Sequence, residues 1–331
     1  MKCQAFLSVG IKIRKYTSGQ STSNFDFTDL TKKRKVFLHV GPTNGGKTYH
    51  ALKRLESSAS GIYWGPLRLL TWEVAKRMNK AKVPCDLITV QERDEVDGAR
   101  HKAVTILGSK TKGFSFTRAL LGIAADELHL CGDAAAVPLI QEVLKVTNDN
   151  VEVQTYGRLS PLVPLEVPLG SFSNIKTGDC IVTFSRQQIY KFKKQIQDGG
   201  KRLCSVVSGS LPPETCTRQA MMFNDETSEF DVLVASDAIG MGLNLNISGI
   251  IFSTMKRFDG VEMRELTVPK IKQIAGRAGR YGSKFPVGEV TCLRADDLPL
   301  LHSSLTAPSP ILEVLALSFE ILMKICFNLV L

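Results

Sequence analysis

The stretch "VFLHVGPTNGGKT", residues 36–48, decides the fold class. A short β-branched and apolar run, Val36–Val40, reads as a buried strand. It breaks into a glycine-rich loop, and a helical pattern begins at Lys47. The loop, Gly41-Pro42-Thr43-Asn44-Gly45-Gly46-Lys47-Thr48, fits G-x-x-x-x-G-K-[ST] in the strand–loop–helix setting that gives this pattern its meaning. Its glycines let the backbone curl until successive N–H groups point at phosphate oxygens, and the helix start adds partial positive charge. In such a loop Lys47 reaches the β- and γ-phosphates and the Thr48 hydroxyl ligates Mg²⁺. All eight residues, 41–48, are therefore expected to hold a nucleoside triphosphate together with Mg²⁺.

Working outward, strands and helices alternate on both sides of this loop. "IYW" (62–64) reads as a strand, "LRLLTWEVAKRMNKA" (67–81) as an amphipathic helix, "LHLCG" (128–132) as a strand and "AAVPLIQEVLKVT" (135–147) as a helix. The alternation implies α/β architecture with parallel sheets covered on both faces. Between Leu159 and Gly178 the chain holds several prolines and no helical period, which reads as a linker. A second βα series follows. The expected division is a basic transit-peptide-like start (1–27), a first domain (28–160), a linker (161–177), a second domain (178–300) and an apolar tail (301–331).

Composition narrows the function class. The 331 residues include 42 Lys and Arg against 32 Asp and Glu, a net charge of +10, which suits a polyanionic partner such as nucleic acid. The eight cysteines form no C-x-x-C pair and sit mostly in apolar runs, which reads as buried thiols rather than a disulfide frame or zinc site. The five histidines are scattered along the chain and give no metal-ligand spacing. The tail "ILEVLALSFEILMKICFNLVL" is apolar, but Glu313, Glu320 and Lys324 interrupt it too often for a bilayer span. No membrane is expected as a partner.

Three further stretches carry candidate chemistry. "QIAGRAGRYG" (273–282) spaces Gln273, Arg277 and Arg280 to share one helical face, where arginines suit a γ-phosphate in its transition state. "VLVASDAIGMGLNLN" (232–246) runs a buried strand into a loop containing Gly240, the place where α/β sheets bind ligands. "IVTFSR" (181–186) ends a strand with Thr183, Ser185 and Arg186, groups typical of contacts to a phosphate backbone.

Together, "HVGPTNGGKTYHAL", "GPLRLLTWEVA", "KGFSFTRALLGIAADELHLCGD", "DVLVASDAIGMGLNLNI" and "VPKIKQIAGRAGRYGS" resemble the mitochondrial degradosome-type DExH RNA helicases of superfamily 2, the Suv-three type, over roughly residues 24–312. The resemblance implies two RecA-like domains with ATP in the cleft between them. It implies Lys47, Gln273, Arg277 and Arg280 as catalytic residues, Gly240 beside the nucleotide, and RNA touched by Arg68, Thr183, Ser185 and Arg186. It also implies 3′-to-5′ RNA unwinding in the mitochondrial matrix, with the nucleus as a second compartment, beside an exoribonuclease.

One departure bears on catalysis. The family carries its catalytic carboxylates on a buried strand upstream of "GFSFTRALLG", the Walker B position. Here that place reads "HKAVTILGSKTKGFSF" (101–116), and no Asp or Glu occurs between Asp97 and Asp126. The four letters "DELH" at Asp126–His129 offer Asp126 as a stand-in metal ligand. The alanine- and leucine-rich run before them favours a helix, with Asp126 and Glu127 at its exposed end. Loss of the acidic strand would leave the Val36–Val40 strand short of a neighbour. The alternative reading is therefore a non-catalytic RNA- or nucleotide-binding relic. Smaller departures are Gly45 for serine, Val90 for glycine and Lys270 for glutamate. With the resemblance stopping near Leu312, they read as an abbreviated form of such a helicase.

Overall fold

A computed structural model describes residues 8–13, 34–65, 68–89, 91–105, 120–121, 123, 125–199, 202–241 and 244–310. Most of the transit-peptide-like start, Val90, residues 106–119, Gly242 and the end of the apolar tail lie outside the described residues. The chain divides into two compact units. The first holds the described residues up to Gly41 and Lys47–Tyr156; the second holds Pro42–Gly46 and Gly157–Pro310.

The first unit is built on an eight-stranded sheet. In chain order its strands and helices are β1 (Ser8–Ile13), β2 (Lys35–Val40), α1 (Lys47–Glu56), β3 (Gly61–Gly65), α2 (Arg68–Lys80), β4 (Cys85–Ile88), β5 (Arg93–Asp94), β6 (His101–Thr105), β7 (Ala125–Gly132), α3 (Val137–Leu144) and β8 (Asn150–Thr155). The spatial order is β5-β4-β6-β3-β1-β7-β2-β8. β2 runs parallel to both β7 and β8, and β6 runs parallel to both β3 and β4. Alternation along β2 and β7 sends Val36, Leu38, Leu128 and Leu130 toward Ile140 and Leu144 of α3. On the β3 side, Tyr63, Leu87 and Ala103 pack with Leu52 and Leu55 of α1 and Val74 and Met78 of α2.

The two parallel halves meet only through β1. It pairs antiparallel with β3 on one side, Gly10 opposite Tyr63, and antiparallel with β7 on the other, Gly10 opposite His129. The expected gap therefore does not fall beside β2, whose two neighbours are present and in register. It falls between β3 and β7, and an N-terminal strand fills it.

The second unit is a six-stranded, wholly parallel sheet flanked by helices, plus a two-stranded hairpin. Its elements are β9 (Leu162–Pro164), β10 (Asp179–Val182), α4 (Arg186–Asp198), β11 (Cys204–Val207), α5 (Pro213–Asn224), β12 (Val232–Ala235), β13 (Gly249–Phe252), β14 (Lys256–Phe258), β15 (Met263–Glu265), α6 (Val268–Ala275), β16 (Gly288–Cys292) and α7 (Leu298–Thr306). The sheet order is β11-β12-β10-β13-β16-β9, and β14 pairs with β15 alone. β10, β12 and β13 are buried at every position, as strands covered on both faces must be. Cys180 and Val182 face Ile271 and Ile274 of α6, while Ile181 faces Ile189 and Ile196 of α4.

The stretch read as a linker is part of this sheet. Leu162–Pro164 pairs parallel with β16 at its edge, and the Leu165, Leu169 and Gly170 N–H groups donate to the Val290, Cys292 and Leu293 carbonyls. Proline is tolerated there because an edge strand has one unpaired side. Six described cysteines are buried free thiols, as their apolar settings led us to expect. Among the described residues no helix is long and apolar enough to cross a membrane.

Because β1 alone joins the halves of the first sheet, a proline in it should be costly. Gly10→Pro removes a backbone donor from a doubly paired strand and leaves its partner unsatisfied, at about 1–3 kcal/mol. A matching fall in the urea midpoint, read by circular dichroism, is the expected result. An unchanged midpoint would mean that the sheet does not need this ladder.

Candidate functional site: the phosphate loop and the edge that carries it

The phosphate loop leaves β2 at the carboxyl edge of the first sheet. Gly41 has φ +147°, and a Cβ there would stand 2.2 Å from the Tyr156 carbonyl oxygen, so the sharp exit from the strand requires glycine. Asn44 and Gly46 have φ of 60° and 82°, and these left-handed residues turn the loop back onto the start of α1. The Lys47 ammonium reaches back over the loop and donates to the Gly41 carbonyl at 2.5 Å. Thr48 lies in the first turn of α1. These pieces match what a polyphosphate loop requires: glycine and left-handed residues that let the backbone curl, a lysine folded onto the first glycine, and a hydroxyl in the first helical turn.

The sequence-derived carboxylates are elsewhere. Asp126 and Glu127 do not end a helix; they lie at the beginning of β7, where the register slips beside β1. Glu127 is level with Lys35, whereas the phosphate loop follows Val40, which is level with Gly132. Five residues of strand, roughly 17 Å at about 3.3 Å per residue, separate Glu127 from the edge that carries the loop. Glu127 instead accepts a two-pronged contact from Arg54 at the end of α1, at 2.7 and 2.6 Å. This pairing raises the Arg54 pKa. Asp126 is corrected as a metal ligand because it belongs to the opposite edge of the sheet. The slot between β3 and β7 offers no replacement either, since β1, "SVGIKI", carries no acid.

In the second unit, α6 ends at Ala275, and Gly276 and Gly279 (φ 66°) turn the chain away. Gln273 is therefore on the helix, but Arg277 and Arg280 lie in the turns beyond it, and the three do not share a helical face. The Arg277 guanidinium donates to the Gly240 carbonyl at 3.2 and 2.6 Å, so this arginine braces the loop after β12. Asp237 in that loop pairs with Arg257 at 2.8 Å and with Lys270 at 3.1 Å. The lysine that departs from the family pattern thus has a carboxylate partner of its own.

Within the same unit, the Asn44 side-chain amide donates to the Gly276 and Gly279 carbonyls at 3.0 and 2.7 Å. Arg158, which the sequence reading passed over, donates to the Thr43 and Gly276 carbonyls at 3.2 and 2.8 Å and also to Ala278. Burial lowers the Arg158 pKa. Nothing in its local sequence marks it out, because its partners are all backbone carbonyls.

Of the expected RNA contacts, Ser185 and Arg186 are exposed where β10 gives way to α4, and Arg68 is the first residue of α2. Thr183 is corrected. It is fully buried and its hydroxyl is 3.1 Å from Gln188 Oε1, so it supports the turn rather than facing a ligand.

The model for the DEXQ-box helicase domain of Suv3 matches residues 24–107 and 106–156, and that for the helicase conserved C-terminal domain matches 165–282. The first match comes in two pieces that meet at Ile106–Leu107, just after β6, where the sequence loses the acidic strand. The DExH-box ATP-dependent RNA helicase DExH16, mitochondrial, of Arabidopsis thaliana is 67% identical over 328 residues, covering 90% of this chain and 57% of its own length. Ninety per cent of this chain is fewer than 328 residues, so that relative has residues with no counterpart here. The human ATP-dependent RNA helicase SUPV3L1, mitochondrial, is 42% identical, with 83% of this chain and 38% of its own length covered. The chain thus spans between 38% and 57% of the length of these curated relatives. Among solved structures, the Escherichia coli DEAH/RHA helicase HrpB superposes with a TM-score of 0.54 at 16% identity, over 82% of this chain and 42% of that one. This likeness supports the RecA-like α/β fold.

Three of the five histidines, His39, His50 and His129, scattered in sequence, converge on the α1 face of the first sheet. His39 Nε2 lies 2.9 Å from His129 Nδ1, and His39 Nδ1 lies 2.8 Å from the Tyr156 hydroxyl. Phe37 stacks on His129 with ring centroids 4.7 Å apart, and His50 of α1 packs against Tyr156. No group of three potential ligands here, or elsewhere among the described residues, is arranged to hold a metal. Burial and His129 lower the His39 pKa to about 4, and burial lowers that of His129. A histidine whose folded pKa lies below its unfolded value near 6.5 contributes stability above that value and loses it as pH falls toward the folded pKa. The urea midpoint should therefore drop between pH 7 and pH 5, and His39→Asn should flatten the drop. An equally steep profile in the variant would remove His39 as its source.

Proposed function

The chain belongs to the Suv3-type family of DExH RNA helicases, and from that premise we propose that it is an ATP-dependent RNA helicase acting on mitochondrial RNA. The phosphate loop carries this reading: a glycine that admits no side chain, two left-handed residues and a lysine folded over the concavity, all at the carboxyl edge of a parallel sheet. Such a loop serves nucleoside triphosphates in general, and the family match supports RNA as the partner.

In this reading the loop N–H groups and Lys47 bind the β- and γ-phosphates of ATP, and the Thr48 hydroxyl takes part in holding Mg²⁺. When bound, the metal neutralises charge on the transferred phosphoryl group. Arg277 holds the loop at Gly240 through its two hydrogen bonds, and Arg280 follows it as the second arginine of the motif. Ser185, Arg186 and Arg68 provide exposed polar and cationic groups for the RNA backbone, consistent with the net charge of +10. A mitochondrial location is supported by the mitochondrial helicases it resembles, and work beside an exoribonuclease is what the family resemblance suggests. Since β1 brings no carboxylate to the loop edge, turnover should be slower than in relatives with the acidic motif, while binding is retained.

The test is ATP hydrolysis by the purified chain, with and without single-stranded RNA. RNA should stimulate turnover, and Lys47→Ala should lower it by roughly 10²-fold or more, as expected for loss of a group aimed at developing charge. Turnover that ignores RNA, or that survives Lys47→Ala, would overturn the assignment.

A further inference from the structure

The structure brings one carboxylate to the phosphate-loop edge of the first unit, and it is neither of those in the "DELH" stretch. β7 ends at Gly132, and Asp133 follows. The register pairs Val40 with Gly132, and the Gly41 N–H donates to the Gly132 carbonyl at 3.4 Å. Asp133 therefore stands beside Gly41, the first residue of the loop, at the spacing of neighbouring strands, about 4.8 Å.

The side of the sheet is also right. Leu128 and Leu130 of β7 face α3, whereas His129 lies against His39 on the opposite, α1 face. By the two-residue period of a strand, position 133 continues the series of His129 and Cys131, on the face where the phosphate loop passes into α1. Asp133 is exposed, and its Oδ1 accepts a hydrogen bond from the Ala135 N–H at 2.9 Å, which fixes the carboxylate at the strand end. Of the other described carboxylates of this unit, only Asp86 lies within two residues of the carboxyl end of a parallel strand, and it is buried within β4, where it accepts from the Val96 N–H at 3.0 Å and pairs with Lys102 at 3.5 Å.

We infer that Asp133 is the carboxylate of the Mg²⁺ site beside the phosphate loop, taking the place of the acidic pair that the β1 slot lacks. The inference rests on the nucleotide reading above and names a further residue of that site. Mg²⁺ is commonly held by one or two carboxylates together with substrate phosphates, so a single aspartate together with the Thr48 hydroxyl makes a chemically adequate set.

The experiment measures binding, not turnover. A fluorescent N-methylanthraniloyl-ADP is titrated with the full chain in Mg²⁺ and in EDTA, for the wild type, Asp133→Asn, Asp126→Asn and Lys47→Ala. Asparagine can keep the bond to the Ala135 N–H, so the strand end should persist. A melting curve on each variant checks this. In the wild type, Mg²⁺ should tighten binding about ten- to a hundredfold, the worth of a charge-assisted contact. Asp133→Asn should lose most of that tightening while keeping wild-type affinity in EDTA, and Asp126→Asn should keep both. Full Mg²⁺ tightening in Asp133→Asn overturns the inference, as does a wild type that binds nucleotide equally with and without the metal. These results leave the nucleotide reading standing. Absence of nucleotide binding, or binding indifferent to Lys47→Ala, overturns both.

Discussion

The first unit depends on the pair of hydrogen-bond ladders that β1 makes with β3 and β7. Without them the sheet is two fragments, β5-β4-β6-β3 and β7-β2-β8, each with an exposed inner edge. Backbone donors and acceptors on such edges must find partners or stay in water, and neither suits a strand buried between helices. Any segment that can extend and pair will do, whatever its direction. β1 runs antiparallel in a sheet otherwise nearly all parallel, which is what a strand recruited for its backbone rather than for its side chains would look like. α1 packs near both halves, through Leu52 and Leu55 toward β3 and through Arg54 to Glu127 of β7, so the helix that begins at the phosphate loop lies over the seam that β1 closes.

The phosphate loop depends on the other half. β2 lies between β7 and β8, and the three strands run in one direction with unbroken register across β2. At their amino edge, Arg34 is locked to Asp149. Its Nε lies 3.0 and 3.1 Å from the two carboxylate oxygens, Nη2 also contacts the carboxylate, and the Arg34 N–H donates to it at 3.1 Å. Both side chains are buried, and the pairing helps hold the Asp149 carboxyl below the usual carboxylate range. At the carboxyl edge, the Gly41 N–H and the Tyr156 N–H close onto β7 and β2. A strand clamped at both ends delivers the loop with little freedom, and this arrangement is indifferent to what fills the slot beyond β7.

The division between what was legible in the sequence and what was not follows from the kind of signal each feature leaves. The phosphate loop and its flanking strand and helix were legible because local chemistry dictates them: glycine where φ is positive, apolar residues where both faces are covered. Position along a strand was not. "DELH" has the right letters, but only the register of β7 against β2 shows that Glu127 belongs at the far edge. The run before it reads as helix by propensity, yet the strand begins at Ala125 because β1 and β2 offer it two partners, and tertiary pairing overrides local preference. The helical period placed Arg277 and Arg280 with Gln273, and two glycines stop the helix between them. The prolines of 161–164 signalled a break, but an edge strand accommodates proline as readily as a linker does. The histidine cluster is invisible at any spacing, since it draws on β2, α1, β7 and β8.

Substituting an acid-free antiparallel strand for an acidic parallel one separates two properties that usually travel together. Sheet integrity is a backbone property, and β1 restores it. Metal chemistry at the loop edge is a side-chain property of whichever strand ends there, and β1 does not supply it. On the proposed reading, phosphate binding draws on a third source, the loop of residues 41–48 with Lys47, which follows β2 and is untouched by the exchange. On that same reading, a chain altered in this way keeps its fold and its affinity for nucleotide while its metal site rests on a single carboxylate at the end of the neighbouring strand. Asp133 occupies that position because β7 lies next to β2 and runs parallel to it. Any parallel neighbour of a phosphate-loop strand places its own C-terminal residue at the same edge, so the topology that puts the loop there also provides a second position from which an acid can reach the metal.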